Sequence, residues 1–327
     1  MTQRTLSSAI RGLAVSLLLK IPQAAFLYVP ILTVTSFCGD VFWMLELTTH
    51  FRLQYLLLAT FFLLLFALFK MWRWAGVALL CLLVNGAYVL PWYWPANRVQ
   101  ADAGGQKLRL LLSNVLWDND HHADVIEFVR REKPDLAFFQ EVTPRWAKEL
   151  EALRDELPES RLYPEDEAGG MAVFSRLPFV RAEQAPLADY NGPAVLAQVN
   201  VGGKLVSIIS VHPPPPGGKK NFDHRTEILN QTADFVGTFP EPKIVIGDLN
   251  TTMWSPYYKR FVGRIGLINA REGFGVLPSW PTYLPPLFIP IDHCLISREI
   301  RVADIRTGSR VGSDHLPLVV DLQIRSQ

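Results

Sequence analysis

Polar side chains that could bind a metal ion or move a proton recur between residues 114 and 315, each at or just beyond the end of a predicted strand. The clearest example is the segment from Lys243 to Pro256. Three β-branched apolar residues at 244–246 predict a short buried strand, and a glycine then ends it before Asp248 and Asn250. Side chains fixed at the end of a rigid strand can hold a metal ion or a water molecule. Taken alone, however, G-D-L-N is equally typical of a simple turn.

Polar residues stand at strand ends elsewhere in the chain too, and all of them are Asn, Asp, Glu or His. The candidates are Asn114, Glu141, His212, Asp248, Asn250, Asp292, Asp314 and His315. Any one of them could simply form a turn or cap a helix. It is improbable that all of them do so by coincidence. Carboxylate and amide oxygens are the ligands of Mg²⁺ and Mn²⁺, while His and Asp transfer protons. The set therefore predicts hard-cation chemistry.

The elements that must position these residues begin at Lys107, where short strands and helices start to alternate. One predicted strand ends at Asn114 and another ends at Glu141. Gly202 and Gly203 predict a hairpin between two further strands, and residues 252–290 are expected to be irregular. Mixed strands and helices with hairpins favour an α+β sandwich over a doubly wound parallel sheet.

The first part of the chain is different, because it contains three apolar segments, at residues 21–44, 53–69 and 74–94. Each is close to the length of about 20 residues that a helix needs to cross a bilayer. A cleaved signal peptide would explain only one such segment. We therefore predict about three transmembrane helices within residues 1–96, a linker at 97–106 and a catalytic domain at 107–327. Residues 1–20 are expected to be either a membrane-surface helix or disordered.

Charge patterning predicts an orientation. Residues 1–96 contain six basic and two acidic side chains, and the remainder contains 26 basic and 29 acidic ones. The basic residues before the first segment, and Lys70 with Arg73 between the second and third, predict that these regions are cytoplasmic. The catalytic domain would then be extracytoplasmic. Its slight acidity does not favour a general nucleic-acid binder. The three cysteines, Cys38, Cys81 and Cys294, show neither a disulfide framework nor zinc-ligand spacing.

The polar segments resemble, in order, the motifs of the endonuclease/exonuclease/phosphatase superfamily of metal-dependent phosphoesterases. The matching segments are S-N-V with Asn114, Q-E-V with Glu141, G-M-A-V-F-S-R with Arg176, S-V-H with His212, G-D-L-N, I-D-H with Asp292, and S-D-H-L-P-L with Asp314 and His315. The resemblance covers about residues 107–324 and is closest to bacterial membrane-attached members. It implies a four-layer α/β sandwich, with two mixed β-sheets flanked by helices and the site at one end of the sheets.

The resemblance also implies which residues hold the metal and which serve the attacking water. Glu141 would be the principal ligand of Mg²⁺ or Mn²⁺. Asn114 would assist it, as would Asp314 through water or at a second site. Asp248 and Asn250 would orient and deprotonate the water, as a carboxylate and an amide two residues apart can do.

The histidines are implied to contact the phosphate. His315 would donate a hydrogen bond to a non-bridging oxygen or act as general acid or base, and Asp292 would fix its tautomer and raise its pKa. His212 would be a second donor to the scissile phosphate, with a simple cap before the prolines as its alternative. Arg176 is expected to form either a structural salt bridge or a phosphate contact.

Some conspicuous residues receive no catalytic role. Neither the spacing nor the resemblance indicates a role for four histidines: His121, His122, His224 and His293. The aromatic and proline-rich segments at residues 254–258 and 277–290 could accept a lipid tail or a stacked base, or could simply pack the end of the sandwich.

The sequence thus predicts a divalent-metal-dependent hydrolase of phosphate esters, multi-pass in a bacterial-type inner membrane, with the N-terminus cytoplasmic. Its expected partners are the lipid bilayer and a phosphate-ester substrate, which is either lipid-linked or a nucleic acid. Nothing in the sequence indicates an obligate protein partner. Two alternatives stay open: an extracytoplasmic nuclease, and a membrane-attached binding protein with an inactive site.

Overall fold

The computed structural model describes residues 20–94, 105–187 and 194–325, which belong to two compact units. The first unit is Met1–Leu90 and the second is Pro91–Gln327. The surface helix predicted at residues 1–20 lies almost wholly outside the described residues, as does most of the predicted linker.

The first unit is helical. After helical residues 20–26 it contains α1 (Tyr28–Thr35), α2 (Trp43–Leu47), α3 (Arg52–Leu68) and α4 (Trp72–Val89), with a 3-10 turn at Thr48–Phe51. A second 3-10 turn, Leu90–Tyr93, starts at the last residue of this unit. An aromatic cluster joins the helices: the ring of Phe26 lies 5.2 Å from the rings of both Phe62 and Phe66. These three side chains are buried in the unit's own apolar core.

Among the described residues, two helices rather than the predicted three are long and apolar enough to cross a membrane: Trp43–Leu68 and Trp72–Tyr93. The predicted segment 21–44 is not one continuous helix. It is interrupted at Leu27, since Pro30 lacks the N–H that would bond to the carbonyl of residue 26, and the chain turns after Thr35. Length and composition alone do not distinguish a membrane-spanning helix from a core helix of a soluble protein. Here, however, only 28% and 33% of the two apolar windows is buried.

The second unit is built from strands and helices. Its strands are β1 (Gln106–Asn114), β2 (Leu136–Gln140), β3 (Glu159–Tyr163), β4 (Met171–Ser175), β5 (Phe179–Gln184), β6 (Ala194–Val201), β7 (Lys204–Val211), β8 (Lys243–Asp248), β9 (Ile268–Asn269), β10 (Asp292–Ile296), β11 (Arg301–Thr307) and β12 (Leu318–Ile324). Its helices are α5 (His122–Glu132), α6 (Pro144–Leu150), α7 (Lys219–Gly237) and α8 (Pro256–Ile265), with 3-10 turns at Glu151–Leu153 and Pro285–Leu287.

Within the described residues these strands form two six-stranded sheets, ordered β11-β12-β1-β2-β4-β3 and β5-β6-β7-β8-β10-β9. Both sheets are mixed, because β1 pairs with β2 and β7 with β8 in parallel while the other pairs are antiparallel. One apolar core, containing Leu110 and Phe138 from the first sheet and Ile208 and Ile246 from the second, lies between them. The prediction of two mixed sheets flanked by helices is confirmed.

Helices cover the outer faces. On the first sheet, Trp146 of α6 and Val125 of α5 pack with Phe139, and all three side chains are buried. Helix α6 begins at Pro144 because the Thr143 hydroxyl accepts a hydrogen bond from the backbone N–H of Trp146 and caps the first turn.

Strand direction determines where the site forms. The carboxyl ends of the parallel strands β1 and β2 meet at one edge, as do those of β7 and β8. Strand β10 runs antiparallel to β8 and places Asp292 directly opposite Asp248. Strand β12 runs antiparallel to β1, so the residues that precede it, Asp314 and His315, lie near the carboxyl end of β1.

The predicted hairpin is confirmed, since Gly202 and Gly203, with φ of 59° and 85°, connect β6 and β7. The prediction of an irregular region at 252–290 is wrong in part. Helix α8 starts at Pro256 behind a Ser255 cap and ends at Gly266, whose φ is 70°. These are ordinary start and stop signals for a helix.

Candidate active site

Glu141 lies at the carboxyl end of β2, in a left-handed backbone conformation (φ 62°) that is uncommon for a residue with a side chain. Its Oε1 accepts a hydrogen bond from Asn114 Nδ2 at 2.8 Å, and its Oε2 accepts one from the backbone N–H of Trp117 at 3.2 Å. The surrounding structure therefore fixes both oxygens of this carboxylate, which is consistent with a functional site that holds local strain.

Asp248 and Asn250 form a second polar corner at the end of β8. Asp248 Oδ1 accepts from the backbone N–H of Asn250 at 2.8 Å, and Asn250 Nδ2 donates to the Pro213 carbonyl at 2.9 Å. Gly247 permits this close packing, because a Cβ there would lie 1.9 Å from the Val211 carbonyl oxygen. The G-D-L-N segment is therefore a fixed corner between β7 and β8.

Two imidazoles face the same oxygen of Asp248. His212 Nε2 lies 3.6 Å and His315 Nε2 lies 3.7 Å from Asp248 Oδ2. His212 Nε2 also lies 3.9 Å from Glu141 Oε1. These separations exceed hydrogen-bond length, so the two imidazoles and the Asp248 carboxylate converge without bonding to one another directly. We refer to these three side chains as the polar cluster. A water molecule or a phosphate oxygen beside the polar cluster would meet two nitrogen donors and one carboxylate acceptor.

His315 is held from behind by Asp292, whose Oδ2 lies 2.9 Å from His315 Nδ1. Both side chains are buried, with residue exposures of 4% for His315 and 1% for Asp292. Because a carboxylate only accepts, the proton of this bond belongs to Nδ1, and Nε2 faces Asp248. The predicted dyad geometry is thus present, whereas its catalytic role stays a prediction.

Electrostatics favour a charged pair. Burial alone would lower the pKa of His315, but the charge and hydrogen bond of Asp292, together with Asp248, raise it to about 10. Burial alone would raise the pKa of Asp292, but the charge and hydrogen bond of His315 keep it below its usual value. Burial also works against protonation of His212, whose pKa is nevertheless raised by Asp248 and Glu141. Both histidines can therefore donate hydrogen bonds towards a phosphate oxygen.

Asp314 is the residue whose surroundings most suggest a cation. Its Oδ2 accepts a hydrogen bond from Trp280 Nε1 at 2.8 Å, while its Oδ1 is buried and has no hydrogen-bond partner. A buried carboxylate oxygen with no donor is costly unless something positive approaches it. Asp314 and Glu141 both carry oxygen donors of the kind that Mg²⁺ or Mn²⁺ prefers.

The set of metal ligands stays a prediction. Among residues 20–94, 105–187 and 194–325, no three His, Cys, Asp or Glu side chains are grouped so as to hold a metal ion. Mg²⁺ usually keeps several waters and takes one or two carboxylates plus substrate phosphate, which is the kind of site these residues could form. As placed, Asn114 accepts from the Leu116 N–H with its oxygen and donates to Glu141, so it orients the carboxylate.

Gln140 was not predicted as a site residue, although it joins the two sheets directly beneath the site. Its Nε2 donates to the Val211 carbonyl at 2.9 Å, and its Oε1 accepts from the Asp248 N–H at 3.0 Å. Gln140 is fully buried. Its sequence signals are a polar side chain at the end of an otherwise apolar strand and its place beside Glu141 in Q-E-V.

A second unpredicted feature is Arg271, a fully buried cation behind Asp292. It donates to the Asp292 carbonyl at 2.6 Å and contacts His293 Nδ1 at 3.2 Å. His293 Nε2 in turn donates to the Thr251 carbonyl at 2.9 Å, which fixes its tautomer. The network therefore connects Asp292 with the loop that follows Asn250. His293 was expected to have no role, and it makes no contact here with the proposed reacting groups.

We predict that acid destabilises the second unit partly through His293. Burial, aided by the charge of Arg271, lowers the pKa of His293 to about 3, whereas an unfolded histidine titrates near about 6.5. Below about pH 6.5 the unfolded chain therefore binds the proton more tightly, so this residue's contribution to stability is lost as pH falls. The free energy of unfolding should fall through this residue by at most about 1.4 kcal/mol per pH unit.

Urea titrations of the full chain in detergent, at several pH values between about 6 and 5, measure this effect. The His293→Gln variant should show a shallower loss of unfolding free energy with falling pH than the native chain. His121→Gln, which changes an exposed histidine, is the matched control. Equal slopes in the native chain and His293→Gln would contradict the prediction.

Arg176 lies away from the site. Its guanidinium pairs with Asp135 at 3.4 Å and donates to the carbonyls of Lys133 and Pro134, just before β2 begins. The site lies at the other end of that strand. Of the two predicted roles, the structure therefore favours the structural salt bridge.

His122 packs edge-on against Trp146, with ring centroids 4.4 Å apart.

Comparisons with known proteins match the second unit. A model described as the Endonuclease/Exonuclease/phosphatase family matches residues 104–315. No curated protein matches the chain. Among solved structures, D. rerio TDP2 complexed with a single-strand DNA product has a TM-score of 0.54 at 19% identity, covering 68% of this chain and 99% of that one.

Two further structures are similar in the same region. Truncated Caenorhabditis elegans TDP2 has a TM-score of 0.53 at 16% identity, covering 68% of this chain and 100% of that one. An endonuclease/exonuclease/phosphatase from Beutenbergia cavernae DSM 12333 has a TM-score of 0.50 at 18% identity, covering 67% and 72%. At these identities the structural likeness shows a shared fold.

Proposed function

Because the chain belongs to the Endonuclease/Exonuclease/phosphatase family, we propose that it is a membrane-anchored, divalent-metal-dependent hydrolase of phosphate esters, of the phosphodiesterase type. The observation that carries the proposal is the polar cluster, in which His212 and His315 face Asp248 Oδ2 at 3.6 and 3.7 Å. An acceptor for a proton and two donors for phosphate oxygens are thereby combined in one buried place.

The proposed division of labour follows from these contacts. Glu141, assisted by Asn114 and Asp314, would hold Mg²⁺ or Mn²⁺, and the ion when bound would neutralise charge on the phosphate. Asp248, with Asn250 holding its carboxylate in position, accepts the proton from the water as its oxygen bonds to phosphorus. The bond from phosphorus to the leaving oxygen then breaks.

The histidines serve the other oxygens of the phosphate. His212 and His315 donate to the non-bridging oxygens, where negative charge builds up during attack. His315 could also give its Nε2 proton to the leaving oxygen, and Asp292 would retain the proton on Nδ1 in either case.

A lipid-linked phosphodiester is the substrate class we favour. The two apolar helices would hold the enzyme at a bilayer, and the mildly acidic remainder of the chain offers no general attraction for nucleic acid. An extracytoplasmic nuclease is the second candidate, favoured by the D. rerio TDP2 structure that contains a single-strand DNA product. An inactive binding protein is a weaker alternative, because all eight candidate positions carry residues capable of the chemistry.

A comparison of substrates tests this proposal. The full chain in detergent, with Mg²⁺ or Mn²⁺, is assayed on phospholipids, sphingolipids, single- and double-stranded DNA and phosphomonoesters. Turnover of a lipid phosphodiester above the nucleic acids supports the favoured class, whereas preferential turnover of DNA would replace it with the nuclease. Hydrolysis of none of these substrates with either metal would count against the enzyme proposal.

We propose a multi-pass location in a bacterial-type inner membrane. Lys70 and Arg73 lie between the two candidate spans and favour a cytoplasmic connection, which puts the catalytic unit outside the cytoplasm. This side is the same whether or not residues 20–42 also cross. A cytoplasmic N-terminus, however, requires that they do. A reporter fused after Gln327 that functions only in the cytoplasm would overturn the orientation.

A further inference from the structure

The segment Tyr283–Leu287 presents five consecutive apolar side chains to solvent. Tyr283 is 69% exposed, and Leu284 and Leu287 are each 42% exposed. Pro285 and Pro286 complete the run, and no charged residue interrupts it. Single exposed apolar residues are ordinary, whereas contiguous exposed apolar surface is typical of interaction sites. We refer to Tyr283–Leu287 as the apolar tip.

The base of the apolar tip is fixed. Trp280 and Ile289 form an antiparallel bridge, in which the Ile289 N–H donates to the Trp280 carbonyl at 2.6 Å. Thr282 adds two bonds on the same side: its N–H donates to the Asp314 carbonyl, and its hydroxyl donates to the Ser313 carbonyl, both at 2.9 Å. A pre-ordered segment loses little conformational entropy when it binds.

These contacts also place the apolar tip next to the candidate active site. Trp280, at its base, donates to Asp314 Oδ2 at 2.8 Å, and its ring centroid lies 6.4 Å from that of His315. A surface engaged by the tip would therefore be held close to Asp314 and His315. The location suits a substrate that is itself part of that surface.

The chemistry of the tip fits a bilayer better than a nucleic acid. Four of its five side chains are aliphatic or proline, so Tyr283 alone within the tip offers an aromatic face on which a base could stack. Tyrosine suits the interface between lipid and water. The exposed Arg310 donates to the Thr282 carbonyl at the base of the tip, and a basic group beside apolar ones complements an anionic lipid surface.

We propose that the apolar tip inserts into the interfacial region of a lipid bilayer and brings the Asp314 edge of the site to the lipid head groups. This docking would occur whether or not the protein is a hydrolase. A further consequence rests on the proposed function: lipid phosphodiesters become the preferred substrates because the docked site lies beside them.

The docking is tested in proteoliposomes that contain the full chain and anionic phospholipid. A Leu284→Cys variant, with Cys38, Cys81 and Cys294 replaced by alanine, carries an environment-sensitive fluorophore. Lipids with a spin label on the acyl chain should quench it severalfold more than the same fluorophore at Val180→Cys, a position 54% exposed on β5. Equal quenching at the two positions would overturn the proposal. So would a response of the Leu284 label to single-stranded DNA without quenching by lipid.

A second variant connects the tip to substrate choice. Leu284→Asp combined with Leu287→Asp should lower the ratio of vesicle-embedded to detergent-soluble phosphodiester turnover by roughly tenfold or more, because charges resist insertion. Val180→Asp should leave that ratio unchanged, and an unchanged ratio in the double variant would contradict the substrate consequence. If the native chain hydrolyses neither substrate, the proposed function fails, while lipid quenching still decides the docking.

Discussion

Replacing Asp248 with Asn should lower the rate of phosphodiester hydrolysis by about 10²–10⁴-fold, the usual contribution of a positioned general base. The amide keeps the size of the carboxylate and can still accept from the Asn250 N–H, but it cannot take a proton from water. The effect should appear mainly in kcat, because the lost interaction is made during attack rather than on binding.

The control for this variant removes the same charge elsewhere. Asp234→Asn, on α7, changes a side chain that is 67% exposed and pairs with Arg264, and it should retain native activity. Circular dichroism and thermal unfolding of both variants establish that the fold is intact. Native kcat in a folded Asp248→Asn protein would remove Asp248 from the reaction.

Replacing Glu141 with Gln should lower activity on the order of 100-fold at low metal concentration, because the principal charged ligand is lost. A tenfold change in rate corresponds to about 1.4 kcal/mol, so this loss is about 2.7 kcal/mol of transition-state stabilisation. Increasing the Mn²⁺ concentration should restore part of the activity, since a neutral amide oxygen still offers a weaker ligand.

Metal titrations distinguish this role from a general defect in the site. The apparent metal requirement of Glu141→Gln should shift to higher concentration, while that of Glu149→Gln, an exposed residue on α6, should not. A loss of activity with an unchanged metal requirement would mean that Glu141 acts in some other way.

The strands predicted before Asn114, Glu141 and Asp248 and on either side of Gly202-Gly203 all lie inside the two sheets, whereas none of the four edge strands was predicted. Strands β3 and β11 flank the first sheet, and β5 and β9 flank the second. A strand buried on both faces appears in the sequence as an apolar run, as in β2 and β8. An edge strand such as β5, F-V-R-A-E-Q, is largely exposed or half-buried and mixes charges into the run, which hides the signal.

That the candidate residues lie close together could be predicted from the sequence, because strand ends are visible there and parallel strands bring their carboxyl ends together. The placement of Asp292 opposite Asp248 needed the antiparallel register of β10, which no local pattern contains. The roles of individual residues still rest on the family resemblance and on the experiments described above.

Residues that act through long-range contacts could not be predicted. Gln140 bridges the two sheets, Trp280 holds Asp314, and Arg271 lies behind Asp292. Each is an ordinary residue in its local segment, and its importance depends on partners that are distant in sequence or on another strand. The orphan Oδ1 of Asp314 likewise becomes visible only when burial and hydrogen bonds are known.

The most direct test of a metal-dependent phosphodiesterase is hydrolysis of bis(p-nitrophenyl) phosphate by the full chain in detergent, before and after chelation with EDTA. We expect turnover with Mg²⁺ or Mn²⁺, its loss on chelation, its return when metal is restored, and none of these changes in Asp248→Asn. Equal turnover by the native and Asp248→Asn proteins, or turnover that persists in EDTA, would contradict the account.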